Sequence, residues 1–266
     1  MPAYDKVKAA RAKGRATAID YINNIFTHFL EMHGDRRFGD DKSIITGIGF
    51  LDDMAVTVIG IEKGRNISER RTRNSGSAHP EGYRKALRQM KLAEKFGRPV
   101  ICLVDTSGAY CGIGPEERGQ GQAIAENLME MMTLKVPIIS VIIGEGGSGG
   151  ALALGVANQV FMLENAVYSV ITPESCASII YRDSSKAEQA AAALKLSAPD
   201  MLELSLIDGI IPEPQGGAHE NHDEAARLIK GQLCRSLQEL SGLTPDDSVE
   251  RRYARFRKMG NFFTGA

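Results

Sequence analysis

The chain has 266 residues, 43% hydrophobic and 24% charged, which suffices for one large α/β domain or two small ones, and a single core is the default expectation. A formal net charge of -1 and a sequence pI of about 6.5 exclude a global attraction to nucleic acid or to an anionic membrane, so any anion site must be local. Cys102, Cys111, Cys176 and Cys234 form no C-x-x-C pair and signal neither zinc nor a disulfide framework; without an apolar leader or a run near the ~20 residues that span a bilayer, a soluble, untargeted cytoplasmic protein is expected.

Residues 1–16 are short, basic and Ala-rich, and read as a solvated arm or a frayed helix. A helix is predicted from Thr17, with Ile19, Ile22, Ile25, Phe26 and Phe29 on one face. His28 and His33, five apart, do not share a helical face as metal ligands four apart would. Residues 44–51 and 54–60 are β-rich and divided by Asp52-Asp53, which predicts a hairpin and an antiparallel start to the sheet. The polar segment 65–73 carries Arg70, Arg71 and Arg73 within four positions. It reads either as a solvated loop or as a docking surface for a phosphate-bearing ligand or an acidic partner.

A helix is predicted over 80–96, with Pro80 in its first turn and Gly97 after it. Two similar units follow. Pro99 leads into a strand at 100–104 and Pro137 into a strand at 138–143, and each strand ends in a glycine-bearing turn before a helix. Such strands imply parallel pairing with right-handed crossovers, which places both turns on the sheet edge where ligands bind. The first turn, 105–120, contains Gly108, Ala109, Tyr110, Gly112, Ile113 and Gly114, whose amides are candidates to face the second turn. Glu116 and Glu117 there suit the start of a helix better than a general-base role.

The second turn is Gly144-Glu145-Gly146-Gly147-Ser148-Gly149-Gly150-Ala151, between a β-branched run and small residues at helix-compatible spacing. Glycines bare the backbone and permit positive φ, so successive N–H groups can converge on one point at a helix start. A P-loop is excluded because no lysine follows. A nucleophile elbow remains, since Gly146-Gly147-Ser148-Gly149-Gly150 satisfies Gly-x-Ser-x-Gly, with Asp208 and His219 in the chain order of α/β-hydrolases. The other reading is an oxyanion hole built from the amides of Gly149 and Gly150. So dense a cluster costs more chain entropy than close packing alone requires, which favours a functional turn.

Short strands are expected at 159–163 and 167–171, then a helix with Thr172 as N-cap and Pro173 at N1. Helices at 187–196 and 199–204, a last strand at 207–211, a Gly/Pro-rich loop ending at His219 and an amphipathic helix over 223–240 follow. The tail, 241–266, is basic at Arg251, Arg252, Arg255 and Arg257, and reads as a solvated or partner-facing helix.

The runs Pro80-Glu81-Gly82-Tyr83-Arg84-Lys85-Ala86-Leu87-Arg88, Glu116-Glu117-Arg118-Gly119-Gln120, 144–155 and Ile211-Pro212-Glu213-Pro214 with Gly216-Gly217-Ala218-His219 together resemble the alpha subunit of the carboxyltransferase component of bacterial acetyl-CoA carboxylase. The resemblance runs from about residue 18 to 226. It implies an α/β fold of the crotonase type, with repeated ββα units and helices packed around the sheet, in one domain over 1–266. It implies an α2β2 assembly with a beta subunit, and a complex that includes biotin carboxylase and the biotin carboxyl carrier protein. The implied reaction moves a carboxyl group from carboxybiotin, borne by that separate carrier, to acetyl-CoA, giving malonyl-CoA for fatty acid synthesis. The ureido anion left behind takes the α-proton so that the enolate attacks. The carry-over assigns the biotin-side oxyanion to Gly149 and Gly150, with Gly112, Ile113 and Gly114 as facing amides and Gly146, Gly147, Gly108, Ala109 and Tyr110 lining the substrate. No metal is implied in this chain, because the family's zinc belongs to the beta subunit. Where relatives carry prolines this chain has Ser107 and Cys111, and Ser175 replaces a glycine. A serine hydrolase using Ser148, a divergent copy with another acyl-CoA, and a scaffold or nucleic-acid binder using 65–73 are the alternatives.

Overall fold

The computed structural model describes residues 1–260; residues 261–266 of the predicted tail lie outside them. The chain opens with α1 (Ala3–Ala10) and α2 (Ala18–Ile25). Thr17 starts α2 by donating its own N–H to the Asp20 carboxylate at 2.8 Å, a capping arrangement that satisfies an otherwise orphaned amide. The predicted helix was expected to run through Phe29, but it stops at Ile25. Phe26 is already extended, and the β-favouring residues that follow form β1 (Thr27–Glu31). A bulge between Thr27 and Leu30, with His28 at φ +52°, lets this edge strand bend onto its neighbour.

β2 (Ile44–Leu51) and β3 (Met54–Ile61) form the expected hairpin about Asp52-Asp53, with Leu51 opposite Met54 and Ile44 opposite Ile61. After α3 (Ile67–Thr72) and α4 (Pro80–Lys95) the sheet turns parallel. β4 (Val100–Thr106), α5 (Ile113–Glu117), α6 (Gln120–Thr133), β5 (Ile138–Gly147), α7 (Ser148–Leu152), β6 (Gln159–Leu163), β7 (Val167–Ser169), α8 (Pro173–Ile180), α9 (Ala187–Leu194), α10 (Ala198–Glu203) and β8 (Gly209–Ile211) follow in order. The chain ends in α11 (His222–Leu240) and α12 (Pro245–Arg257).

The strand order is β1-β2-β3-β4-β5-β6-β8, with β7 paired to the far end of β5. Every residue of β4 is buried, as a parallel strand covered on both faces requires. α4 packs against α6, and α2 against α11. The buried aliphatics of β3, β4 and β5 join Tyr83, Met90, Ile229 and Leu233 in one core cluster.

Both predicted solvated ends are corrected. Val7 and Ala10 of α1 are buried in a satellite cluster with Ala191 and Leu196, because Ala3, Val7 and Ala10 recur at i, i+4 and i+7 and give the helix one apolar stripe that packs on α9. In α12, Arg252 is wholly buried. It donates to the carbonyls of Met131 at 2.6 Å and of Leu134 and Val136 at 2.9 Å, and to Asn158 Oδ1 at 2.7 Å. Burial pushes its pKa down to about 10, so it stays charged at neutral pH. The planar fork lets one side chain tie α12 to the end of α6 and the starts of β5 and β6. Arg252→Lys is expected to cost about 2 kcal/mol, since a point charge cannot reach all four acceptors and leaves buried carbonyls unpaired; urea unfolding measures it, and an unchanged midpoint would show the fork to be dispensable.

Candidate functional site

The two glycine-bearing turns meet where β4 and β5 end. Thr106 pairs with Gly146, while Glu145, Gly146 and Gly147 pair on the other side with Val167, Tyr168 and Ser169. Ideal Cβ atoms placed on the glycines show how close the turns lie. One on Gly147 would sit 2.2 Å from the Ser107 carbonyl oxygen, and one on Gly150 would sit 2.7 Å from the Ala109 nitrogen and 3.0 Å from the Tyr83 hydroxyl. These two positions exclude any side chain. Gly149 is different, because its nearest neighbour would be Ile124 at 3.6 Å, an ordinary contact.

α7 begins at Ser148, whose φ of +47° lies in the left-handed region. The first four amides of a helix have no acceptor within it, and among the described residues those of Ser148, Gly149 and Gly150 donate to no other group. The helix is only five residues long and ends at Leu152. So short a helix offers bare amides rather than a sizeable dipole.

Gly108 and Ala109 are therefore brought against Gly150, whereas Gly112, Ile113 and Gly114 lie further along at the start of α5. The nearest contacts for side chains at Gly112 and Gly114 would be Tyr110 and Arg118, not the second turn. Tyr110 is clamped in place: its amide donates to the Ala78 carbonyl at 3.1 Å, its ring stands edge-on to His79 at 4.5 Å, and Gln120 Nε2 bonds its carbonyl at 3.0 Å.

Beneath the turns lies a charge network that sequence reading missed. Lys63 Nζ lies 2.7 Å from Asp105 Oδ1 and 2.6 Å from Glu145 Oε2, and Arg11 Nε lies 2.7 Å from Glu145 Oε1. Asp105 Oδ1 also accepts the Glu145 amide at 2.8 Å. Burial alone would lower the pKa of Lys63, but the two carboxylates outweigh it and raise it. Burial likewise works against Glu145, yet Lys63 and then Arg11 hold it below the usual range. One turn of chain further, Arg15 donates to the Ile143 carbonyl at 2.9 Å and lies 2.6 Å from Glu213. Burial opposes the Glu213 carboxylate, but Arg15 and Asn165 prevail and hold its pKa at about 2. A cleft of about 540 Å³ opens here, with Arg11, Lys63, Asp105, Ser107 and Glu145 in its wall. Charged residues at the ends of two predicted strands, and an arginine four residues from another in the arm, were the only sequence signals.

The serine-elbow reading meets a topological obstacle. Ser148 is exposed and has the left-handed backbone of an elbow, but it follows the C-terminal end of β5. Asp208 precedes β8 and accepts the amide of Val160 at 2.7 Å, near the start of β6, so it lies at the opposite edge of the parallel strands and pairs there with Arg255. His219 sits over Gly217 and lies 3.5 Å from Glu220. No hydrogen bond joins Ser148 to either residue among the described residues, so the three do not form a relay. The segment 65–73 is not a loop but holds the exposed helix α3, capped by the Asn66 side chain. Arg65 is committed to Asp20, and Arg73 donates to the Lys42 carbonyl at 2.7 Å.

The family model described as acetyl co-enzyme A carboxylase carboxyltransferase-like matches residues 1–260. The chain belongs to that family. It is 57% identical over 260 residues to the acetyl-coenzyme A carboxylase carboxyl transferase subunit alpha of Ruminiclostridium cellulolyticum, covering 98% of each chain. To the same subunit of Clostridium perfringens it is 58% identical, over 97% of this chain and 96% of that one. A relative in Natranaerobius thermophilus carries beta and alpha subunits in one polypeptide; the match there is 55% identical and spans 97% of this chain but 43% of that protein.

Among solved structures, transcarboxylase 12S with methylmalonyl-coenzyme A and methylmalonic acid bound superposes with a TM-score of 0.71 at 17% identity, over 87% of this chain and 42% of that one. A Pseudomonas malonate decarboxylase hetero-tetramer in complex with coenzyme A gives 0.71 at 19% identity, over 91% and 98%. The fold is thus the crotonase-type α/β fold that the resemblance implied, and family membership makes the chain a carboxyltransferase subunit.

Proposed function

We propose that the chain is the alpha half of an acetyl-CoA carboxylase carboxyltransferase, paired with a beta subunit and served by a biotin carboxyl carrier protein, and that it forms the biotin side of the site. When bound, carboxybiotin supplies the carboxyl group and a ureido oxygen on which negative charge develops as that group leaves. The observation that carries the reading is the set of amides of Ser148, Gly149 and Gly150, which have no acceptor among the described residues and of which Gly150 lies against the turn at Gly108 and Ala109. Bare, fixed N–H donors suit an oxyanion that exists only late in the reaction, because they need no reorganisation when it forms. Such a donor set fits the neutral bicyclic urea of biotin, which asks for hydrogen bonds and not a counter-cation.

The amides of Gly149 and Gly150 hold the developing charge in this reading, with Gly146, Gly147, Gly108, Ala109 and Tyr110 shaping the approach. The Lys63, Asp105 and Glu145 network fixes the ends of β4 and β5, and hence the spacing of the two turns. Ile113 and Val170, at 81% and 75% exposure, are aliphatic residues beside the turns that a covering subunit would bury. Acetyl-CoA is assigned to that partner's side, giving malonyl-CoA.

The test is co-purification with a beta subunit followed by malonyl-CoA decarboxylation in the presence of biotin. Activity in the pair and none in either chain alone is the expected result; no association would overturn it. In the reconstituted pair Ser148→Ala is expected to keep most of the activity, within about threefold, because the mechanism uses amides and no hydroxyl. Complete loss with the assembly intact on a sizing column would return the serine to the chemistry.

A further inference from the structure

A second polar groove, of about 570 Å³, runs along α4 and is bounded by Asp35, Arg36 and Arg37 of the preceding loop and by Glu126 of α6. Arg84, Arg88, Lys91 and Lys95 recur at i, i+4, i+7 and i+11 and so form one basic stripe, roughly 16 Å long at the helical rise. The loop adds Arg36 and Arg37. Part of this charge is neutralised at home: Arg84 lies 2.8 Å from Asp35, Lys91 lies 2.9 Å from Glu130, and Arg37 lies 3.5 Å from Glu126. Arg36, Arg88 and Lys95 have no carboxylate within ion-pair distance among the described residues. Asp40, the other acid that acts on Arg88, is engaged by Lys85 at 2.6 Å.

The two unpaired arginines are held together. Arg36 Nη1 and Arg88 Nη2 each donate to the His33 carbonyl at 3.0 Å, and Arg88 Nε donates to the Gly34 carbonyl at 3.0 Å. Arg36 adopts φ +65° to do so, a conformation that costs free energy in a non-glycine residue. Burial and then the charge of Arg36 push the pKa of Arg88 below the ordinary arginine value. The side-chain amide oxygen of Gln89 also accepts from Arg88 Nη1 at 3.2 Å and Nη2 at 2.8 Å. Two guanidinium groups are thus fixed side by side, at the expense of mutual repulsion and backbone strain, with one Nη1 N–H of Arg88 and the remaining N–H groups of Arg36 left for a ligand.

We propose that this groove binds a phosphate-bearing small molecule, with a phosphate seated between Arg36 and Arg88 and the rest of the ligand directed along α4 toward Lys95. A phosphate dianion accepts from Arg36 and from the one N–H that Arg88 has left and neutralises both charges at once, whereas a single carboxylate of an acidic peptide neutralises one. The groove has the size of small-ligand sites. Lys95 lies about two helical turns beyond Arg88, roughly 10 Å along the axis, so a nucleotide fits the span and inorganic phosphate fills only the arginine pair.

The experiment is calorimetric titration of the full chain with ADP, inorganic phosphate and a hexaglutamate peptide at low salt. ADP is expected to bind saturably. Arg36→Gly, which glycine's freedom at that φ leaves unstrained, and Arg88→Gln are each expected to weaken ADP at least tenfold, Lys95→Ala about threefold, and the exposed Arg227→Gln on α11 not at all. Phosphate binding lost in the same two arginine variants supports the seat and identifies the minimal ligand. Melting curves of each variant separate lost binding from lost fold, and Lys95→Ala, which removes an exposed side chain, serves if Arg88→Gln unfolds. No saturable ADP binding, or ADP binding unchanged in Arg36→Gly, overturns the proposal. Hexaglutamate binding tighter than ADP also overturns it, in favour of an acidic protein surface.

Discussion

Gly150→Ala is expected to lower carboxyl-transfer turnover in the assembled enzyme by roughly a hundredfold or more, whereas Gly149→Ala keeps most of it. The difference comes from what each new methyl would meet. At Gly150 the nearest atoms are the Ala109 nitrogen at 2.7 Å and the Gly108 carbonyl carbon at 2.8 Å, both backbone, so the turn at 108–109 must retreat. At Gly149 the first neighbour is the flexible end of Ile124 at 3.6 Å. Both variants retain their amide N–H; only one is forced to aim it elsewhere. Losing one aligned oxyanion donor costs about 3 kcal/mol of transition-state energy, which is the hundredfold or more. The overpacking adds about 1–3 kcal/mol to the folding cost of Gly150→Ala, so turnover must be compared after a sizing column confirms assembly. A valine at 150 would confuse the two effects, since its branches also reach the Tyr83 hydroxyl. Equal losses at 149 and 150, or none at 150, would show that amide direction in this turn does not control the reaction.

The early hairpin, the parallel pairing of β4 with β5 and the meeting of two turns at one sheet edge were legible because they rest on local signals. Prolines open β4 and β5, β-branched runs fill them, and glycines end them. The helix starts at Thr172 and Pro80 were legible for the same reason. The roles of the chain ends were not. Arg11 and Arg15 look like a solvated basic arm until the partners Glu145 and Glu213, more than a hundred residues away, are brought beside them. Arg252 sits in a tail whose composition is that of an exposed helix, and only tertiary carbonyls explain its burial. The facing residues of the candidate site were also displaced by a few positions. Glycine content drew attention to Gly112 and Gly114, but contact with the second turn falls to Ser107, Gly108 and Ala109, directly after β4. The reason is that α5 intervenes and carries 113–117 away from the strand end.

Lys63→Met should destabilise the protein by about 3–5 kcal/mol at pH 8, the usual consequence of removing one partner from a buried ionic cluster. The lysine stands between two carboxylates whose side chains are almost wholly buried, and it is their shared counter-ion. Arg11 remains for Glu145, but it reaches only Oε1 and is itself shared with Glu174 at 2.8 Å. The sign of the pH dependence follows from Glu145. In the wild type its pKa is depressed, chiefly by Lys63 once burial has been overcome, so its contribution is present above the unfolded carboxylate value and is lost as pH falls through the folded one. The variant lacks that contribution and takes up a proton at Glu145 more readily. The gap between wild type and variant should therefore be widest above about pH 5 and narrow as pH falls below the ordinary glutamate range near 4. Urea unfolding of both proteins at several pH values measures the gap directly. Because the same lysine sets the spacing of the ends of β4 and β5, the variant's turnover should fall even at temperatures where it is fully folded. A stability gap independent of pH, or a folded variant turning over at the wild-type rate, would mean that water or Arg11 replaces Lys63 and that the network does not position the turns.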